Sequence, residues 1–254
     1  MEINMLISVI MEGIASGDWR NLIIQLLLMI PVVLFALSIH EAAHGAVAYL
    51  MGDRTAYAMG RVTLNPSKHL DPMGTLVMLV FGFGWAKPVP INARNFKNPK
   101  WGMALTAIAG PISNLILGII GAILTAITFF LFYAIIPIHA PQFLESTYYE
   151  AVETIFILLF EYLSLINFIY AFFNLIPLPP LDGSRFFFTF LPIKWYFGIM
   201  KYERYIMFGV LILFMLSSRI FSFSPVSFLA EISFSGIANG VIMVLNILYQ
   251  ALIF

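Results

Sequence analysis

Apolar residues run in long blocks along this chain instead of alternating with polar ones. The first full block extends from Leu22 to Met51, the second from Gly102 to about Ile136 and the third from about Thr154 to Leu175. Two further blocks cover about Tyr205 to Phe221 and Gly236 to Phe254. At about 1.5 Å rise per residue, each can cross most or all of a hydrocarbon layer about 30 Å thick. Lipid offers the backbone no hydrogen-bond partner, so blocks of this length predict helices. The pattern predicts an all-α polytopic membrane protein with about five to six transmembrane helices. The count turns on Met1–Ser16, whose apolar part of about 13 residues predicts an interfacial helix or a short extra crossing. That segment carries Glu2 and Glu12 and lacks a basic start, so it does not read as a cleaved signal.

Between the first two blocks, Gly52–Trp101 is the most polar stretch, yet it encloses the apolar run Met73–Trp85 with Gly74, Gly82 and Gly84. Too short and too glycine-rich for a spanning helix, this run predicts a re-entrant loop or short β-hairpin beside the site, leading into Lys87-Pro88-Val89-Pro90. A flap lying on the membrane surface is the alternative. The third block ends in Asn174–Gly183, where Pro177, Pro179 and Pro180 argue against a regular helix and Gly183 predicts a tight turn beside Asp182. The expected organisation is an N-terminal apolar segment over 1–20, a membrane core over 21–190 and C-terminal transmembrane helices over 191–254.

Composition sharpens this picture. Hydrophobic residues make up 61% of the 254 and charged residues 10%, against about 25% charged in a soluble domain. No basic, aromatic-interleaved patch suggests a nucleic-acid partner. The absence of cysteine excludes disulfides and thiolate metal ligands. Charge placement gives an orientation. Of the 13 Lys and Arg residues, all but Arg20 and Arg219 lie in Gly52–Trp101 or Ser184–Arg204. An even number of spans separates these two segments, so both can be cytoplasmic under the positive-inside rule. The acidic connection Pro137–Glu153 is then external.

The candidate chemistry lies near the cytoplasmic end of the first block, in His40-Glu41-Ala42-Ala43-His44. Two histidines four apart stand one turn apart on one helix face, a spacing that lets both imidazoles reach one metal ion, usually zinc. Glu41 projects about 100° round the helix, where it can reach a water at that metal without being a ligand. Ionisable groups inside a span cost about 2.5 kcal/mol or more each on insertion scales, which favours function over chance. Asp182 falls at the same depth by the charge argument. It can be an ordinary helix cap or the third protein ligand that a catalytic zinc needs. Asn114, in Gly110-Pro111-Ile112-Ser113-Asn114, is a polar side chain in an apolar helix, which interhelical hydrogen bonding alone can explain. His69 can orient the insertion or sit in a solvated turn, and His139 has no assigned role.

Taken together these residues resemble the site-2 protease family of intramembrane zinc metalloproteases. The resemblance rests on His40-Glu41-Ala42-Ala43-His44, Gly110–Asn114 and Leu181-Asp182-Gly183, with Asn174 and Pro177 ahead of the last. Gly52-Asp53, Asn65-Pro66, His69 and Gly84–Val89 are similar to the small bacterial and archaeal branch, and the likeness covers roughly Ile30 to Phe190. It implies one zinc ion per chain bound by His40, His44 and Asp182. It implies Glu41 as general base and Asn114 facing the site, steadying the scissile carbonyl or its oxyanion. It implies substrates that are transmembrane segments, gripped by β-addition along an edge near Phe81–Val89. The expected place is the cell membrane, multi-pass, with the active site nearer the cytoplasmic face. An intramembrane metal-ion transporter and a catalytically inactive membrane scaffold are the alternatives.

Overall fold

The computed structural model describes residues 5–74, 86–144, 148–202, 205–206, 208–209 and 225–253. Helix α1 (Met5–Ser16) is 12 residues long, about 18 Å and short for a crossing. Gly17, at φ 72°, turns the chain into α2 (Trp19–Leu50). Asp18 caps α2 by accepting a hydrogen bond from the Asn21 amide at 3.0 Å. Pro31 lies inside α2 without ending it. After the short α3 (Thr55–Ala58), irregular chain leads to α4 (Pro99–Phe130), which starts on an Asn98 cap and a proline at its first position. A π turn at Leu131–Ile135 carries α4 on to His139. Then come α5 (Tyr149–Asn174), α6 (Asp182–Phe187), α7 (Ile193–Met200) and α8 (Pro225–Ile253).

Four helices are long and apolar enough to cross a membrane: α2, α4 with its extension, α5 and α8. They match the first three expected spans and the last. The last begins at Pro225, well before the expected Gly236. Its more polar start is helical too, and Ser233 Oγ donates to Leu229 O at 2.8 Å within the same helix. The expected span at about Tyr205–Phe221 and the apolar run Met73–Trp85 lie almost wholly outside the described residues.

Helix α4 occupies the centre, packed against α2, α5, α6 and α8. Small residues let it approach its neighbours closely. A Cβ at Gly121 would stand 2.6 Å from Ser164 N, and one at Gly118 would stand 2.6 Å from the Phe168 ring. Ser164 Oγ uses that proximity to donate to Gly118 O at 2.8 Å. Met29, Val32 and Ala36 of α2 pack on Tyr162 and Ile166 of α5 in the main apolar cluster. The opposite faces expose Leu27, Ile30, Ile112, Ile116, Ile119 and Phe156, among others, as lipid-facing helices do.

The chain between α2 and α4 is tied down by buried polar residues. Asp53 is fully buried and accepts from the amides of Thr55 and Asn92, the Thr55 hydroxyl and the Asn95 side chain. Burial alone would raise its pKa; these hydrogen bonds outweigh that and hold the carboxyl below its ordinary value. His69 is also fully buried, with Nε2 donating to Thr63 O at 2.8 Å. Its carbonyl accepts from Lys87 N at 2.8 Å, beside an antiparallel bridge between Leu70 and Ala86. That pairing closes the base of the insertion beside His69. Among the described residues no strand forms beyond this bridge.

Candidate metal centre

His40 and His44 lie on the face of α2 turned toward α4, and both are buried. Their Nε2 atoms are 3.1 Å apart. Asp182 Oδ2 sits 3.0 Å from His40 Nε2 and 3.2 Å from His44 Nε2. The chain delivers Asp182 by folding back after α5. A Cβ at Gly183 would stand 2.2 Å from Leu175 O. Gly183 is therefore needed for close backbone contact rather than for the turn expected from the sequence, since its φ is not positive. The three ligand-type atoms come from helix α2 and, far along the chain, from the first residue of α6.

The other ring nitrogens fix how the imidazoles are protonated. His44 Nδ1 contacts the Thr106 carbonyl at 2.7 Å. A carbonyl only accepts, so this nitrogen carries the hydrogen. His40 Nδ1 contacts Asn114 Oδ1 at 2.5 Å. The orientation of that amide is set from a distance. Asn167 Nδ2 donates to Leu163 O at 2.7 Å, which turns Asn167 Oδ1 toward Asn114 Nδ2, also at 2.7 Å. Asn114 Nδ2 gives its second hydrogen to Ala36 O at 3.3 Å. Asn114 must then present its oxygen to His40, and His40 must donate. When the two rings are neutral, both Nε2 atoms face Asp182 as lone pairs, and three acceptors converge within about one atomic diameter. Such a cluster is repulsive unless a cation sits among them.

The cluster fits zinc. Zn–N and Zn–O bonds of about 2.0–2.1 Å in a tetrahedron separate ligand atoms by about 3.3 Å, and the three observed separations lie between 3.0 and 3.2 Å. Two imidazoles and a carboxylate also form a three-ligand set that leaves a fourth position open, as catalytic zinc sites do. Gly110 makes room for it: a Cβ there would stand 2.5 Å from His44 Nε2 and 2.6 Å from His40 Cε1.

Glu41 is buried beside the cluster, and its Oε2 accepts a hydrogen bond from Val89 N at 3.1 Å. The chain expected to form a substrate-binding edge therefore contacts Glu41. Within its described part, however, Lys87 N is bonded to His69 O and Val89 N to Glu41. Pro88 has no N–H, so Lys87–Val89 has no backbone donor free for an added strand. Of the rest of that expected edge, Ala86 is paired with Leu70 and 81–85 lie outside the described residues. The expectation that Asn114 steadies an oxyanion meets a similar limit, because both of its amide hydrogens are already bonded. Thr106 and Asn167 escaped the sequence reading, and Val89 entered it only as part of the expected edge, not as a partner of Glu41. Of these, Asn167 had a signal, as a second asparagine inside an apolar span.

The comparisons with known proteins agree with this geometry. The model of peptidase family M50 matches residues 25–217. A Bacillus subtilis (strain 168) protein named "Putative zinc metalloprotease YwhC" is 43% identical over 157 residues, 62% of this chain and 66% of that protein. The chain thus spans just under two thirds of that relative's length. No solved structure matches significantly. With a zinc-compatible group at the junction of apolar spanning helices, the chain is a multi-pass membrane protein that belongs to peptidase family M50, the site-2 protease family.

Proposed function

We propose that the protein is an intramembrane zinc endopeptidase that hydrolyses peptide bonds in or near transmembrane segments of membrane proteins. His40, His44 and Asp182 are its zinc ligands and Glu41 its general base. The observation that carries this reading is the convergence of three acceptors at 3.0–3.2 Å with both histidine Nδ1 atoms committed elsewhere. When bound, zinc supplies Lewis acidity, polarising the scissile carbonyl and making water acidic near neutral pH. Val89 holds Oε2 of Glu41, and Oε1 is left to take the proton from the attacking water. As the water oxygen bonds to the carbonyl carbon and the C–N bond breaks, Glu41 passes that proton to the departing nitrogen. Thr106 and Asn114 keep the two imidazoles in register throughout. Asn114 is thereby assigned a positioning role.

In this reading 21–190 is the catalytic membrane core, flanked by the 1–20 segment and the 191–254 helices. Charge placement supports an active site nearer the cytoplasmic face. His44 lies about 9 Å from the end of α2 by helix rise, so water need travel only a short way.

The test is elemental analysis of the detergent-purified protein, with cleavage of a transmembrane peptide measured in parallel. Wild type is expected to hold about one zinc per chain and Asp182→Ala to lose most of it. Glu41→Gln is expected to keep the zinc while losing about 10²–10⁴-fold in cleavage rate. Wild type that takes up no zinc after reconstitution, or Glu41→Gln that cleaves normally, refutes the proposal.

A further inference from the structure

Resting on the reading of Glu41 as general base, we infer that Arg61 is a positioning residue that aims Glu41 through the Pro88–Val89 peptide. Arg61 is a buried cation. Its Nη2 donates to Lys87 O at 2.6 Å and to Pro88 O at 3.3 Å. Among the described residues no carboxylate pairs with it, so its charge is spent on two successive backbone carbonyls. A buried charge is costly to place, and joining two loops requires nothing more than a neutral donor.

What the charge achieves follows from the planarity of the peptide unit. Pro88 C=O and Val89 N–H are opposite ends of one trans peptide, the sole cis bond among the described residues being Pro179–Pro180. Arg61 grips the oxygen end, and the hydrogen end points at Glu41 Oε2. Turning the carbonyl toward Arg61 turns the N–H toward Glu41. The guanidinium also polarises that peptide and strengthens its donation to the carboxylate. The sequence leaves no substitute: Pro88 and Pro90 carry no N–H, so Val89 supplies the one backbone donor between Lys87 and Ile91. Glu41 thus has Oε2 clamped, and Oε1, which makes no hydrogen bond among the described residues, faces the chemistry.

The experiment compares wild type, Arg61→Met and Arg61→Lys as purified, zinc-loaded proteins. It reads hydrogen exchange at the Val89 amide, zinc content, and kcat and KM on a transmembrane peptide. In wild type the Val89 amide is expected to exchange slowly. In Arg61→Met it is expected to exchange at least about tenfold faster, with zinc retained and exchange across α2 unchanged. The same variant is expected to lose about 10- to 100-fold in kcat, as a misaimed group does, with KM changed less than about twofold. Arg61→Lys, which keeps the charge but lacks the planar fork, is expected to fall in between. Fast Val89 exchange in wild type overturns the proposal without any variant. So does wild-type Val89 exchange or wild-type kcat in Arg61→Met. If Arg61→Met fails to fold, Arg61→Lys with the wild-type values for both overturns it. A wild type that cleaves nothing sinks the protease reading instead, and the exchange measurement still decides whether Arg61 orients Val89.

Discussion

At the scale of single residues, the space between α2 and α4 is set by Gly110. Its missing side chain is what allows two imidazoles to turn their Nε2 atoms inward. Gly110→Ala places a methyl group against both rings, and neither can retreat without breaking its Nδ1 bond. The expected outcome is zinc affinity lowered by about 100-fold or more, with helix content by circular dichroism unchanged. Asn114→Ala removes an orienting partner instead of adding bulk, and about 10- to 100-fold weaker zinc binding is expected by competition with a chelator. The candidates themselves were legible in the sequence, since histidines four apart have few other uses in lipid, although Asp182 at its span end read equally well as a cap. Their supports were not. Thr106 acts through its carbonyl and Val89 through its amide, and every residue type carries those groups. Arg61 looked like one more cation in a basic loop.

Elements show the same division. Apolar blocks announced α2, α4, α5 and α8, because length and hydropathy suffice where lipid is the solvent. Cap chemistry then set their starts: Asp18 and Asn98 place α2 and α4 a few residues ahead of the first strongly apolar position. The chain between α2 and α4 was the least legible, since its order comes from long-range polar ties. Asp53 is the chief of these, and its depressed pKa gives a sign. A group whose folded pKa lies below its unfolded value, about 3.9, contributes stability above that value and loses it as pH falls through the folded pKa. The Asn92 amide, which donates to Asp53 Oδ2 at 2.6 Å, is therefore expected to stay protected from hydrogen exchange at pH 7. It should lose protection only below about pH 4. Protection already lost while the pH is still above about 4 contradicts this account of the loop.

For the whole molecule, the absence of cysteine makes orientation simple to measure. Single-cysteine variants at Ser67 and Gln142 lie on opposite sides in the proposed topology. An impermeant maleimide added to intact cells is expected to label Gln142→Cys and to reach Ser67→Cys only after lysis; the reverse pattern inverts the topology. One feature of the bundle then bears on how it holds together. The amide of Asn114 touches His40 and Ala36 on α2 and Asn167 on α5, while belonging to α4. Three spans meet at one side chain, and that side chain ends on a proposed metal ligand. Occupancy of the centre and cohesion of the bundle are thereby linked. A ligand that binds only the folded state, at about 1,000 times its dissociation constant, adds about 4 kcal/mol to stability. Chelation should do more than silence the enzyme: it should loosen the helices as a set, so that a metal-starved cell would clear the protein rather than store it.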